Sequence, residues 1–169
     1  NTMRDALVAA LNLNIFNKHC DRISMANIAQ TVNVLQSMLL TEGTHLVKTP
    51  TYHVFSMYRA HQGARLLETS MDPLTLTQNG QTLPMVSQSV SILDGVVTLT
   101  LANCSLTEDA GVDVSLADGS AFAGTAQIEL LHQDVHAHNT FEDPEQVCIR
   151  QQTGDWSGLT RTTVHIPPC

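Results

Sequence analysis

Residues 23–55 read ISMANIAQTVNVLQSMLLTEGTHLVKTPTYHVF, and this stretch decides the fold class of the first part of the chain. It opens with Ile23 to Ala29, a short and mostly apolar run without alternating polar residues. Such a run is typical of a parallel strand that is covered on both faces, and a helix is the alternative. Farther on, Pro50 and Thr51 begin an amphipathic helical segment, whose inward face we predict to hold Val54, Phe55, Met57 and Tyr58.

A second helix is predicted before this strand. Thr2 can cap it together with Asp5 three residues later, and the pattern continues to about Asn17. Apolar residues recur at helical spacing at Met3, Ala6, Leu7, Ala10, Leu11 and Ile15. Helix, buried strand and helix together predict an α/β unit in residues 1–62.

The remaining residues, 63–169, change to a period of two. Val86, Gln88, Val90 and Ile92 alternate with serines, and Asp94-Gly95 then precedes a second alternating run, which predicts a hairpin. We predict further strands at Val112 to Leu116, Ala123 to Leu131, Gln146 to Arg150 and Thr160 to Ile166. The chain is therefore expected to be α/β followed by all-β, with an antiparallel, jelly-roll-like β-sandwich as its second domain.

The first domain cannot be complete on this reading. A strand buried on both faces needs neighbouring strands, and residues 1–62 supply only one. Each unpaired buried backbone group costs roughly 1–3 kcal/mol, so several would exceed the stability of a small domain. We expect the missing strands to come from elsewhere, so that residues 1–62 are only part of a domain.

Composition excludes several classes of function. A net charge of -8 with only 8 Lys and Arg argues against a nucleic-acid surface, which needs clustered positive charge. No apolar run approaches the roughly 18 residues that span a bilayer. The 4 cysteines have neither a close pair nor metal-site spacing, so we predict reduced thiols and a cytoplasmic location.

Several ordered words in the first sixty residues carry a resemblance to a known family. They are NTMRDAL at 1–7, MANIAQ at 25–30, NVLQ at 33–36, LTEG at 40–43 and TPTYHVF at 49–55. They resemble the end of the catalytic barrel of α-L-arabinofuranosidases of glycoside hydrolase family 51. The words AHNTF at 137–141 and IPP at 166–168 resemble the closing motifs of the sandwich in the same family.

The resemblance implies a (β/α)8 TIM barrel followed by a β-sandwich. Residues 1–17 would then be the seventh barrel helix, Ile23 to Ala29 the eighth strand and Thr51 to His61 the eighth helix. The implied activity is exo-acting, retaining hydrolysis of terminal α-L-arabinofuranosyl groups in arabinan, arabinoxylan or derived oligosaccharides. It needs no metal or cofactor, and the implied partners are the missing barrel segment and further copies in a homo-oligomer.

Retaining glycosidases need two carboxyl groups about 5–5.5 Å apart. The family supplies them as glutamates at the ends of the fourth and seventh barrel strands, within motifs that this chain lacks. The acidic residues before the sandwich are Asp5, Asp21 and Glu42, and only Glu42 would lie on the active-site face. We expect no catalytic residue here and no activity of the isolated chain.

Gln30 is the predicted substrate-contacting residue. It follows the eighth strand on the active-site face, where its amide can donate to and accept from sugar hydroxyls. By resemblance it is the glutamine that contacts substrate in the family. Asn27 and Asn33 are weaker candidates, because an amide near a barrel strand more often supports loop geometry.

Other polar and aromatic residues are predicted to be structural. Asp134, His136 and His138 lack a third metal ligand fixed by spacing, so we expect a structural loop and no metal. His53 beside Phe55 is expected to be packed, and Trp156 is expected to shield a sheet edge rather than stack on a sugar.

The alternative function is a non-catalytic sandwich module for subunit assembly or carbohydrate binding. Sugar-binding sandwiches usually display several exposed aromatic residues, whereas this chain has 1 Trp, 2 Tyr and 4 Phe, mostly at apolar positions. Subunit assembly is therefore the better form of this alternative.

Overall fold

The computed structural model describes residues 1–168, except for the side chain of Gln78. This part of the chain contains two α-helices, α1 (Met3–Lys18) and α2 (Pro50–Tyr58), and a 3₁₀ turn, Arg59–His61, that continues α2. Its eleven strands are β1 (Leu39–Glu42), β2 (His45–Lys48), β3 (Arg65–Leu66), β4 (Thr75–Gln78), β5 (Gln81–Pro84), β6 (Val86–Leu93), β7 (Val96–Asn103), β8 (Ala110–Ser115), β9 (Thr125–Leu130), β10 (Arg150–Asp155) and β11 (Arg161–Ile166).

Helix α1 begins where the sequence predicts. The backbone N–H of Thr2 donates to the Asp5 carboxylate at 2.7 Å, which is the return bond of a capping box. The next two backbone N–H groups donate to carbonyl oxygens of the 135–137 loop, at 2.9 and 3.0 Å. One face of the helix is buried, at Met3, Ala6, Ala9, Leu13 and Asn14. The predicted first helix is therefore confirmed.

Helix α2 is confirmed except for its last turn, which is 3₁₀. Thr49 caps the helix by accepting from the backbone N–H of Tyr52 at 3.3 Å, and Pro50 occupies the first turn, where its missing N–H costs nothing. Val54 faces the core between α1 and α2, and Phe55 and Tyr58 pack at its edge.

The predicted strand at Ile23 to Ala29 is wrong for this chain. The segment is irregular, with Ile23, Ala26 and Ile28 half-buried and Met25 72% exposed. A strand exists only through hydrogen bonds to neighbouring strands, and no strand within residues 1–168 pairs with this segment. The alternative of a helix is not formed either. The assignment of residues 1–62 to the end of a barrel accordingly remains a prediction.

The hairpin predicted around Asp94-Gly95 is confirmed. Strands β6 and β7 pair antiparallel from Leu93 opposite Val96 to Val86 opposite Asn103. The two turn residues have φ values of +50° and +80°, as a two-residue type I′ connection requires. The short strand β3 pairs with the other edge of β6.

The remaining strands form separate antiparallel pairs: β1 with β2, β4 with β5, β8 with β11 and β9 with β10. Strands β8, β9 and β11 match the predictions at 112–116, 123–131 and 160–166 within a few residues. The described chain is thus mostly β-structure with two helices. Neither of these helices is long and apolar enough to cross a bilayer.

The strand predicted at Gln146 to Arg150 is wrong, because β10 only begins at Arg150. The backbone of Val147 is instead bonded to a side chain. Its N–H donates to Asn139 Oδ1 at 2.7 Å, and its carbonyl accepts from Asn139 Nδ2 at 2.8 Å. The buried amide of Asn139 therefore takes the hydrogen bonds that a sheet would need at this position.

The helices join the sheet through polar contacts. In the second half of strand β6, Ser89 and Ser91 are buried, with Ser89 only 1% exposed, whereas Val90 and Ile92 are half-buried. The fully buried Asn14 lies over this face, and its Oδ1 accepts from the hydroxyls of Tyr58, Ser89 and Thr100 at 2.8, 2.9 and 2.9 Å. We call these four residues the Asn14 seam. It connects α1, α2, β6 and β7.

Candidate substrate-contacting site

Gln30 lies at the end of the irregular segment, in an exposed loop. The chain then enters an isolated parallel bridge, in which Val32 lies opposite Leu39. This bridge fixes the backbone beside Gln30. The backbone N–H of Leu39 donates to the carbonyl of Thr31, and that of Asn33 donates to the carbonyl of Leu39, both at 3.0 Å.

Asn33 connects the same loop to β1 through its side chain. Its Nδ2 lies 3.0 Å from both the carbonyl oxygen and the Oγ1 of Thr41, and its Oδ1 accepts from the Thr41 backbone N–H at 2.7 Å. The backbone of Asn33 is left-handed, with φ +54°, a conformation that asparagine adopts more readily than most residues. In the structure, Asn33 therefore supports the geometry of the loop. This is the role that the sequence analysis gave as the alternative to contact with a sugar.

The other two candidates lie on either side of this loop. Glu42 is the exposed last residue of β1, opposite His45 and next to Thr41. Asn27 lines a cavity of about 260 Å³ between α1 and the irregular segment. The Asn33–Thr41 pair therefore links the loop of Gln30 with the strand of Glu42, whereas Asn27 belongs to a separate cavity.

Asp5 borders the same cavity but is committed to structure. Its carboxylate accepts from Thr2 and, at 3.3 Å, from Gln36 Nε2. Burial alone would raise its pKa, yet the hydrogen bonds from Thr2 and Gln36 outweigh burial and lower the pKa. A carboxylate held ionised by a helix cap is poorly suited to donate a proton.

The Asp134, His136 and His138 cluster is a structural turn, as predicted. Asp134 Oδ1 accepts from the backbone N–H of His136 at 2.8 Å, and His138 Nδ1 lies 3.2 Å from the His136 carbonyl. Carbonyl oxygens of this turn accept from the first N–H groups of α1. Within residues 1–168 no group of three or more His, Cys, Asp and Glu residues is arranged to hold a metal.

Trp156 covers part of the β9–β10 pair, as predicted. Its ring packs on Phe122 with centroids 5.4 Å apart. The indole also approaches Gly154 so closely that a Cβ there would lie 2.9 Å from Trp156 Nε1. Contacts with its own sheet therefore account for this aromatic side chain.

His53 is half-buried on α2, with its ring edge-on to Tyr52 at 5.7 Å. Burial and the nearby Lys48 lower its pKa, and Glu145 acts in the opposite direction. Cys20, Cys104 and Cys148 are free thiols, and Cys169 lies outside the described residues. These residues form no second chemical site.

A larger cavity of about 1100 Å³ lies beside β7. Residues of β9, β10 and the end of β11 line it, together with parts of both helices. Its apolar lining includes Leu101, Ile128, Trp156, Val164 and Ile166. Strands β7, β9, β10 and β11 are therefore incompletely packed against one another in this part of the molecule.

The relatives of this chain are consistent with the architecture. The family model described as the α-L-arabinofuranosidase C-terminal domain matches residues 1–169. The chain belongs to this family. The sequence-based resemblance to α-L-arabinofuranosidases of glycoside hydrolase family 51 is confirmed.

Two curated relatives extend this result. This arabinofuranosidase C-terminal domain is 43% identical over 150 residues to an intracellular exo-α-L-arabinofuranosidase of Bacteroides ovatus, covering 87% of the domain and 29% of that protein. It is 26% identical to an exo-α-(1→6)-L-arabinofuranosidase of Bifidobacterium longum, covering 89% and 30%. The chain thus spans less than a third of the length of these relatives.

Solved structures agree on the fold. The GH51 arabinofuranosidase of Xanthomonas axonopodis pv. citri superposes with a TM-score of 0.89 at 36% identity, over 99% of this domain and 34% of that chain. The arabinose complex of the Thermotoga maritima enzyme gives a TM-score of 0.80 at 24% identity, with 99% and 37% coverage. The arrangement of helices and strands therefore matches the C-terminal β-sandwich region of these enzymes.

Proposed function

We propose that this chain is the C-terminal third of a retaining, exo-acting α-L-arabinofuranosidase. The enzyme would remove terminal α-L-arabinofuranosyl groups from arabinan, arabinoxylan or derived oligosaccharides. The observation that carries the proposal is the family match over residues 1–169. The Bacteroides ovatus relative is named both exo-acting and intracellular, which supports the proposed cleavage mode and a cytoplasmic location.

We propose further that residues 1–62 complete a (β/α)8 barrel begun by an upstream segment, and that residues 63–169 form the sandwich domain. Exposed apolar side chains in residues 1–62 support their contact with an upstream segment. Met25 and Leu35 are 72% and 87% exposed, and Val8, Ile15 and Leu46 are also exposed. Large apolar side chains this exposed are available for another part of the protein to cover.

The catalytic groups would then come from the upstream segment. Retention needs a nucleophile and an acid/base carboxyl about 5–5.5 Å apart. Asp5 is engaged in a helix cap, while Asp21 and Glu42 are exposed at a loop and a strand end. We therefore assign neither catalytic role to this chain.

Gln30 would contribute binding to the substrate. Its exposed amide offers two donors and a carbonyl acceptor to vicinal sugar hydroxyls. Hydrogen bonds to a hydroxyl that strengthen in the transition state contribute to turnover as well as to affinity.

A chimera tests the proposal. The aligned region of the Bacteroides ovatus relative, 29% of its length, would be replaced by residues 1–169. We expect the chimera to release 4-nitrophenol from 4-nitrophenyl α-L-arabinofuranoside and the isolated chain to release none. Hydrolysis by the isolated chain would contradict the assignment of the catalytic groups, and a folded but inactive chimera would contradict the proposed function.

The complete enzyme is also proposed to be a homo-oligomer. The β4–β5 hairpin, residues 75–84, contains no charged residue, and Leu83 on it is 53% exposed. Uncharged surface of this kind permits two copies of a chain with net charge -8 to approach each other. Light scattering of the chimera measures the assembly directly, and a monomer would contradict this part of the proposal.

A further inference from the structure

The hydrogen bonds of the Asn33 side chain all involve one residue, Thr41. Both Nδ2 contacts go to Thr41, one to the carbonyl oxygen and one to Oγ1, and Oδ1 accepts from the Thr41 backbone N–H. A side-chain amide has two N–H donors. Asn33 therefore has no free donor for a sugar hydroxyl, which excludes the main form of direct contact with substrate.

The contacts of Asn33 continue into the backbone next to Gln30. Leu39 bonds to the carbonyl of Thr31 and to the N–H of Asn33, so both residues flanking Val32 are joined to β1. Gln30 is covalently attached to Thr31. The main chain of Gln30 is therefore next to a segment whose backbone is hydrogen-bonded to Leu39 at both Thr31 and Asn33.

Strand β1 is itself anchored. It pairs with β2 along four residues, and Val47 of β2 is buried. The backbone N–H of Thr49, the cap of α2, donates to the carbonyl of Met38 immediately before β1. A continuous set of hydrogen bonds thus runs from the start of α2 through β1 to the loop of Gln30.

We propose that Asn33 is a positioning residue. It orients Gln30 toward the arabinofuranosyl group by holding the segment from Thr31 to Asn33 against β1. This inference rests on the proposed function, because it needs Gln30 to contact substrate. The left-handed backbone at Asn33 turns the chain so that its own side chain reaches Thr41. Aspartate would lack both donors, and glycine would keep the backbone conformation while losing every side-chain bond.

The test uses the chimera with four substitutions. Asn33→Gly removes the side-chain bonds without straining the left-handed backbone, and Asn33→Asp removes only the donors. Thr41→Val is the matched control, since it deletes the Oγ1 contact and keeps both main-chain contacts. Gln30→Ala measures the role of the glutamine itself.

We expect Asn33→Gly to lower kcat/KM by about 10-fold to 100-fold, the range over which a misplaced binding group reduces turnover. Asn33→Asp should also lower kcat/KM, and Thr41→Val should keep kcat/KM within about twofold of the parent value. In the Gln30→Ala background, Asn33→Gly should produce little further loss, because residues that act as one unit are not additive.

The outcomes distinguish failure of the substrate role of Gln30 from failure of the positioning role of Asn33. If Gln30→Ala leaves kcat/KM unchanged, the proposed substrate role of Gln30 fails. If Gln30→Ala is impaired but Asn33→Gly is not, or if the two losses multiply, the positioning role of Asn33 is overturned.

A measurement on the 169-residue chain keeps the proposal testable even where a chimera variant does not fold. Amide hydrogen exchange at Leu39 and Thr41 should be protected in the parent and in Thr41→Val, and faster in Asn33→Gly. Unchanged protection in Asn33→Gly would show that the side chain does not hold this loop, and would overturn the proposal.

Discussion

His61 is a half-buried imidazole between the end of α2 and strand β6. Its Nδ1 lies 2.7 Å from Ser91 Oγ, while Nε2 is buried without a hydrogen-bond partner among the described residues. The Tyr58 ring packs on it, with centroids 5.7 Å apart. Protonation would place a second N–H, and a positive charge, where the protein offers no acceptor.

This environment predicts a loss of stability in mild acid. Burial lowers the pKa of His61 from its ordinary 6.5, so the unfolded chain binds protons more readily between the two pKa values. The contribution is fully present above about pH 6.5 and is lost as the pH falls through the folded pKa. We expect His61→Gln to show a smaller decrease in unfolding free energy between pH 8 and pH 5 in urea titrations. An unchanged decrease would contradict this assignment, and His19→Gln, at an exposed position, is the control.

At the scale of elements, the β6–β7 hairpin depends on one glycine. Gly95 has φ +80°, which L-residues adopt only with strain. We expect Gly95→Ala to lower the free energy of unfolding by about 1 kcal/mol or slightly more. Gly124→Ala is the matched control, because a Cβ there meets nothing within 4 Å and φ lies outside the left-handed range. Equal urea midpoints for the two variants would show that the turn conformation is not limiting.

The elements also show which structure follows from local sequence. Helix α1, helix α2 and the Asp94-Gly95 hairpin depend on caps and turn residues a few positions apart, and all three were predictable. The strands expected at Ile23 to Ala29 and at Gln146 to Arg150 depend on distant partners. The first has no neighbouring strand within residues 1–168, and a buried amide takes the backbone bonds of the second.

The candidate site follows the same rule. The sequence was sufficient to predict that Gln30 follows the apolar segment, because that depends only on order along the chain. The role of Asn33 was not predictable in detail, since it requires a left-handed backbone and a partner eight residues away. The β4–β5 hairpin was not predicted, although Asn79-Gly80 is a recognisable turn pair in the sequence. Both residues have positive φ in the structure.

At the scale of the whole molecule, the two core clusters are small for a chain of 169 residues. The cavity of about 1100 Å³ beside β7 and the exposed apolar side chains near Met25 and Leu35 leave much apolar surface in contact with water. We expect the isolated chain to enhance the fluorescence of 8-anilinonaphthalene-1-sulfonate strongly and the chimera to do so weakly, because the upstream segment would cover this surface. Equal enhancement per molecule would show that the surface stays open in the longer protein.

The Asn14 seam has a consequence for motion within the molecule. An apolar contact permits one surface to slide over another, because hydrophobic attraction has no preferred direction. Asn14 Oδ1, in contrast, is within 2.9 Å of three hydroxyl groups on three different elements, and such bonds weaken steeply when their angles change. These bonds therefore fix the rotation of helix α1 about its own axis relative to strands β6 and β7. We infer that the helical layer and the sheet turn as a single rigid body, so that any hinge in the proposed longer enzyme lies elsewhere.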